Sequence, residues 1–285
     1  MEVYLDCLPC ILRQVLESSR MSTDNKELHD KIMVEALSKL RHYRSFQNSP
    51  ELCRDISSIV KIKTGQTDPY YQIKQRDMRT ALRLYPKLRS FVDAQQDRLH
   101  WALKVAATGN VLDSAVDIGF DVEKALDAEV SKPFSICDTQ LLEQQLKTAK
   151  SLLVIGDNAG ETVFDSILLE QLAHLDLTYA VRSAPIINDA TLEEAQASGI
   201  DRYAKIITSG CDAPGTLLGE CNKKFLNHFY DADIVISKGQ GNYETLLDCD
   251  RDVFFLLKAK CPVLSTLLSV DLNDYVFKFY QCAQA

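Results

Sequence analysis

The chain has 285 residues, 46% of them hydrophobic, enough for one or two domains with a sizeable buried core. Its formal net charge is −8 and no run of Lys and Arg offsets it. Nucleic acid and anionic membrane are therefore not expected as partners, since neutralising phosphates drives such binding.

The opening stretch MEVYLDCLPCILRQ lacks a basic segment followed by a long apolar run, so it does not read as a signal peptide. No stretch reaches the roughly 18 uninterrupted apolar residues of a spanning helix. The nine cysteines are scattered, unlike a secreted disulfide scaffold, and a cytoplasmic location is expected. Apolar residues recur at helical spacing over 4–19, over 25–40 with Thr23 or Asp24 as cap, and over 50–63. Asp68-Pro69 reads as an N-cap with proline at the first helical position, opening a helix from Tyr70 to Leu84. Another helix is predicted over 86–107, ended by Gly109-Asn110.

The pattern changes near residue 150. Apolar runs at 151–156, 177–182, 204–209, 232–237 and 252–258 alternate with helical segments at 160–173, 190–198, 215–228 and 242–248. Such alternation predicts a parallel sheet with helical crossovers, and continuously apolar runs suit strands buried on both faces. The fold class is thus α/β: a Rossmann-like, mainly parallel sheet flanked by helices, with an all-helical N-terminal domain. The expected division is 1–130 for the helical domain and 131–285 for the α/β domain. No repeat or low-complexity tract interrupts either part.

Ligands of open parallel sheets bind beyond the carboxyl ends of the strands. The segments there are Gly156-Asp157-Asn158-Ala159-Gly160-Glu161, Arg182–Thr191, Ser209–Gly215 and Lys238-Gly239-Gln240-Gly241-Asn242. Asp157, Asn158 and Asp189 form a set of oxygen donors of the kind a hard divalent cation takes. Each residue is equally suited to capping the helix that follows. Lys238 in its glycine-rich turn suits phosphate, as does Ser209-Gly210, and both also suit ordinary turns. The five histidines show no metal-site spacing. Cys7-x-x-Cys10 lacks the second pair that a zinc site needs, so packing is the favoured reading. No Walker loop or dinucleotide fingerprint is present.

The Gly156–Glu161, Asn188-Asp189-Ala190-Thr191 and Ser237–Glu244 segments resemble the motifs of the damage-control phosphatase family, formerly domain of unknown function 89. Cys7-Leu8-Pro9-Cys10, Asp68-Pro69-Tyr70 and Gly109–Asp113 resemble that family's helical-domain signatures, and the Cys-x-x-Cys start resembles its mostly prokaryotic branch. The resemblance implies metal-dependent hydrolysis of small phosphorylated metabolites, phosphate monoesters such as sugar phosphates. It implies a divalent metal (manganese, nickel, cobalt or magnesium) on Asp157, Asn158 and Asp189, and phosphate on Lys238. Asn110 is carried over as a residue reaching the cleft.

The reaction expected is attack of water at phosphorus, with Asp157 or Asp189 orienting the water. The amides of Gly239, Gln240 and Gly241 would meet the phosphoryl oxygens, with Asn242 in the same turn and Ser209, Gly210 and Arg182 as further donors. Glu161 falls in the first helical turn at the same edge. A covalent aspartyl-phosphate on Asp157 is a second route. Rival readings are a protein carboxyl methyltransferase using S-adenosylmethionine, and a non-catalytic sensor of metal and phosphometabolite.

Overall fold

The structure is a computed structural model that describes residues 1–109 and 122–282. Asn110, with Val111, Leu112 and Asp113 of the same motif, lies outside the described residues. Helices α1 (Cys7–Ser22), α2 (Lys26–Leu40) and α3 (Ser49–Thr64) enclose a core of their own around Ile11, Val15, Ile32, Ala36, Leu52, Ile56 and Val60. Asn25, not Thr23 or Asp24, caps α2 by accepting the Leu28 N–H. Asn48 caps α3 and Gly65 closes it at φ 71°, a conformation glycine adopts without a Cβ penalty.

Helix α4 (Tyr71–Asp93) runs through Pro86, where the sequence predicts a break. Proline removes one hydrogen bond from the ladder, yet Leu84 and Leu88 on either side are both buried and hold the helix to its neighbours. The next helix, α5 (Arg98–Thr108), starts late, with Asp97 accepting the His100 N–H. Helices α4, α5 and α6 (Val122–Ser131) share one core with the sheet, in which Met78, Leu103, Val105 and Leu126 meet Val154, Phe164 and Phe254.

Five strands are parallel: β2 (Ser151–Ile155), β3 (Asp176–Val181), β4 (Lys205–Thr208), β5 (Ile234–Lys238) and β6 (Val253–Lys258). Sequence reading missed β1 (Phe134–Cys137) and β7 (Tyr275–Tyr280). Strand β7 runs antiparallel to β6 and parallel to β1, giving the order β1-β7-β6-β5-β2-β3-β4. Helices α7 (Thr139–Leu146), α8 (Glu161–Gln171), α9 (Leu192–Ala197), α10 (Lys223–Asp231), α11 (Gln240–Leu246) and α12 (Pro262–Leu268) flank the sheet. The helix predicted over 215–228 is instead a short turn at 218–220 followed by α10, which Asn222 caps by accepting the Phe225 N–H.

The chain order reverses between β2 and β5, since β3 and β4 lie on one side of β2 and β6 and β7 on the other. A doubly wound sheet opens its ligand crevice at such a switch point. The two turns flanking this crevice are Gly156-Asp157-Asn158 and Lys238-Gly239-Gln240. Among the described residues, no helix is long and apolar enough to cross a membrane.

Candidate active site

Backbone bonds stitch the turn after β2 to the loop after β3. The Ala190 N–H donates to Asp157 O (2.7 Å), the Ala159 N–H to Asn188 O (2.8 Å), and Asn158 and Asp189 form an isolated antiparallel bridge. This pairing, not helix capping, brings Asp157, Asn158 and Asp189 side by side. The loop is held from outside by Thr191 and Glu194, which form a capping box on α9. Glu194 is bound to the buried Lys74 ammonium (2.8 Å), whose other partner is Asp68 (2.7 Å). Asp68 is thus an anchor between α4 and α9 and not the expected N-cap: Tyr70 holds the N-cap position, Pro69 lies in the turn before the helix, and Asp68 accepts the Tyr70 N–H from that turn.

Arg182 lies under both aspartates and is 2% exposed. Its Nε donates to Asp189 Oδ2 (2.7 Å), and its Nη1 donates to Thr216 Oγ1 (3.2 Å) and Asn242 Oδ1 (3.0 Å). Its Nη2 is 3.9 Å from Asp157 Oδ1 and makes no hydrogen bond among the described residues. Burial alone would favour the neutral form of Arg182, but Asp189 and Asp157 outweigh it and hold the guanidinium charged. Asn242 donates to Gly156 O and Lys238 O, tying the two turns of the crevice together.

Lys238 is also buried, and its ammonium meets Glu161 Oε2 (2.6 Å) and Asp165 Oδ1 (2.7 Å). The lysine expected to stand ready for phosphate is therefore already shared by two carboxylates. Burial opposes its charge, but those two neighbours raise its pKa above the usual range. Burial pushes both Glu161 and Asp165 up, because one ammonium cannot fully offset two carboxylates. Glu161 also accepts from Asn158 Nδ2 (3.1 Å), and Asp165 Oδ2 accepts the Tyr179 hydroxyl (2.6 Å). Burial, then the charges of Asp189 and Glu161, push the Asp157 carboxyl well above its ordinary value.

The glycines of the turns make room for this assembly. A Cβ on Gly239 (φ 83°) would lie 2.0 Å from Asp157 Oδ2, and one on Gly109 would lie 2.5 Å from Glu161 Cγ. A Cβ on Gly241 would lie 1.8 Å from the Pro214 carbonyl, so Gly241 serves close packing of two loops. The Gly239 amide donates to Leu256 O and is not available to a ligand. The amides of Gln240 and Gly241 open α11 and lack intrahelical acceptors. Ser209 and Gly210 stand at the end of the edge strand β4, two strands from Asp157. The Ser209 hydroxyl is bonded to the Cys211 backbone, and Gly210 (φ 85°) lies against Asn222.

Sequence reading missed Asp165, Tyr179 and Thr216. Asp165 was within reach: Glu161 and Asp165 are four apart and share one face of α8. Tyr179 and Thr216 carry no such spacing.

Four carboxylates, Asp157, Glu161, Asp165 and Asp189, thus meet two buried cations, Lys238 and Arg182, with the exposed Lys260 a more distant positive charge. The donor set and the surplus negative charge suit a hard divalent cation. Among the described residues, no three His, Cys, Asp or Glu side chains form a metal-holding group. The set rests on two carboxylates and the Asn158 amide, and water would have to supply the remaining ligands.

The fold and site define a doubly wound α/β protein with an acidic, oxygen-lined crevice at its switch point. The profile of the Damage-control phosphatase ARMT1-like domain matches residues 3–276, and the chain belongs to that family. A damage-control phosphatase of Pyrococcus horikoshii is 32% identical over 280 residues, covering 95% of each chain. One of Archaeoglobus fulgidus is 31% identical over 281 residues, covering 95% of this chain and 97% of its own. The crystal structure of a DUF89-family protein of P. horikoshii superposes with a TM-score of 0.89 at 29% identity, over 99% of this chain and 100% of that one.

Proposed function

We propose that the protein hydrolyses phosphate monoesters of small metabolites, as a metabolite-repair enzyme, with a divalent cation held by Asp157, Asn158 and Asp189. The observation that carries this reading is the convergence of Asp157 and Asp189 on one buried point, with more carboxylates around it than buried cations. Family membership and the two relatives named as damage-control phosphatases support it. Manganese, nickel, cobalt and magnesium all accept oxygen donors, and availability decides among them. When bound, such a cation supplies Lewis acidity and a template for the phosphoryl group.

The protein's own groups then divide the work. Asp157 or Asp189 orients the attacking water and takes its proton. The amides of Gln240 and Gly241 receive phosphoryl oxygens, as helix N-termini do. Arg182 holds Asp189 in place through its 2.7 Å bond. We assign Lys238 a positioning role: it fixes Glu161 and Asp165, and Glu161 in turn orients the Asn158 amide. Positioning and electrostatics are the main demands of phosphoryl transfer.

Phosphate release from a panel of monoesters, with several divalent metals and with chelator, tests the assignment. Asp157→Ala and Asp189→Ala should each abolish metal-stimulated release while the protein stays folded by circular dichroism. Full turnover by either variant would sink the reading, and methyl transfer from S-adenosylmethionine in the presence of chelator would replace it.

A further inference from the structure

The loop from Arg182 to Ala190 delivers Asp189 to the crevice, and one of its residues is held against its own side chain. Ile187 has φ 38°. It is the first central residue of the turn that the Asp189 N–H closes on Ile186 O (3.1 Å). Positive φ at that place is the conformation glycine supplies, and a β-branched residue adopts it only under strain. Among the described residues, no other β-branched side chain sits on a backbone of positive φ.

A strained conformation persists only where its surroundings over-determine it. Backbone bonds fix the two ends of the loop: the Arg182 N–H donates to Ala190 O (3.0 Å), the Ser183 N–H to Cys211 O (3.0 Å) and the Ala159 N–H to Asn188 O (2.8 Å). The approach to the turn is held from the helical layer instead. The ammonium of Lys61, on α3, donates to Pro185 O, next to Ile186. Ile59 and Val60 beside Lys61 are buried in the core of α1–α3, so a packed helix carries this ammonium.

We infer that Lys61 is a positioning residue: its bond to Pro185 O keeps the Ile187 turn in its strained form, and that form sets the Asn188 carbonyl and the Asp189 side chain against the turn after β2. The inference rests on the cation reading above for what Asp189 does, and on the metal-free chain alone for the clamp. Clamp and strain oppose each other. Without the ammonium, Ile187 returns to negative φ, which swings Asn188 and Asp189 away from Ala159 and Asn158. With glycine at 187 the same turn carries no Cβ penalty, and the clamp becomes dispensable.

The test compares the wild type with Lys61→Met, Ile187→Gly and the double variant. Manganese affinity is measured by titration calorimetry. Exchange of the Ala159 and Ala190 amide hydrogens, which bond to Asn188 O and Asp157 O, is followed in the metal-free proteins. Lys61→Met should bind manganese about tenfold more weakly or worse, the loss seen when groups supporting metal ligands are removed, and should exchange both amides faster. Ile187→Gly alone should stay near the wild type in both measurements. The double variant should recover most of what Lys61→Met loses, whereas a lysine that merely stabilises the fold would give effects that add. Wild-type affinity in Lys61→Met, a double variant as impaired as Lys61→Met, or a Lys61→Met chain that does not fold would overturn the inference. If the wild type binds no manganese, the cation reading falls, and amide exchange alone then decides the clamp: unchanged exchange in Lys61→Met rejects it.

Discussion

At the scale of single residues, Lys238 separates two roles that a lysine in a glycine-rich turn can play. A lysine reserved for phosphate would stand in water until substrate arrives, and its loss would leave stability untouched. Lys238 instead holds two buried carboxylates at 2.6 and 2.7 Å. Lys238→Met should therefore unfold about 3–5 kcal/mol more easily in urea, the range for stranding one side of a buried ion pair. Unchanged stability with lost activity would return Lys238 to direct phosphate contact. Lys104 is the opposite case. It is 1% exposed, its Nζ lies 3.3 Å from the Tyr275 ring centroid, and it has no hydrogen-bond partner among the described residues. Burial pulls its pKa down to about 7, against a smaller upward pull from Glu129. Between that value and its ordinary 10.5 the unfolded chain binds more protons, so stability contributed at this position rises with pH. Lys104→Met should raise stability by about 1–3 kcal/mol at pH 7 by removing a poorly paired buried charge. The gain should shrink by pH 9.5, measured as the difference in Tm between variant and wild type.

At the scale of elements, the five parallel strands and the turns after them could be read from sequence because their runs are almost continuously apolar, even in β4, which lies at the sheet edge and is only partly buried. Strand β1 could not: Phe134, Ser135, Ile136 and Cys137 alternate between half-buried and exposed on an edge. Strand β7 enters antiparallel, outside the strand–helix alternation that guided the reading. The break placed at Pro86 failed because a local rule about proline yields to the buried leucines beside it. The convergence of Asp157, Asn158 and Asp189 followed from their place at strand ends, but the pairing of Lys238 did not. Where a long side chain turns depends on what α8 presents, and that was not in the turn itself. The fit between the Gly241 turn and the Pro214 loop is equally invisible in sequence. Gly241→Ala would push a Cβ to 1.8 Å from the Pro214 carbonyl, which must shift along with Gly215. Stability should fall by about 1–3 kcal/mol, the usual range for overpacking, with turnover falling further because α11 opens beside Asp157.

At the scale of the molecule, the site joins parts of the chain that otherwise have separate cores. Helices α1–α3 pack on their own residues, while α4–α6 share a core with the sheet. The crevice is where the loops after β2, β3 and β5 meet the polar anchors of the helical layer, such as Lys74 on Glu194. Surplus negative charge at that point opposes the folded state; burial first, and then the charges of Asp189 and Glu161, push the Asp157 carboxyl up. A cation bound only by the folded chain must then stabilise the whole protein, by about 2.7 kcal/mol at a hundredfold excess over its Kd. Each kcal/mol moves Tm by about 2–4 °C in domains of 150–250 residues, so saturating manganese or magnesium should raise Tm by roughly 5 °C or more. Chelator should reverse the rise. Asp157→Asn removes a ligand charge and relieves the repulsion together, so it should show a higher metal-free Tm and little or no metal shift; Asp189→Asn loses the metal shift too, but it strands the buried Arg182 guanidinium and should lower the metal-free Tm. A wild-type Tm indifferent to every divalent ion, or a full shift in both variants, would place the cation elsewhere and leave the surplus negative charge of the four carboxylates over Lys238 and Arg182 unneutralised.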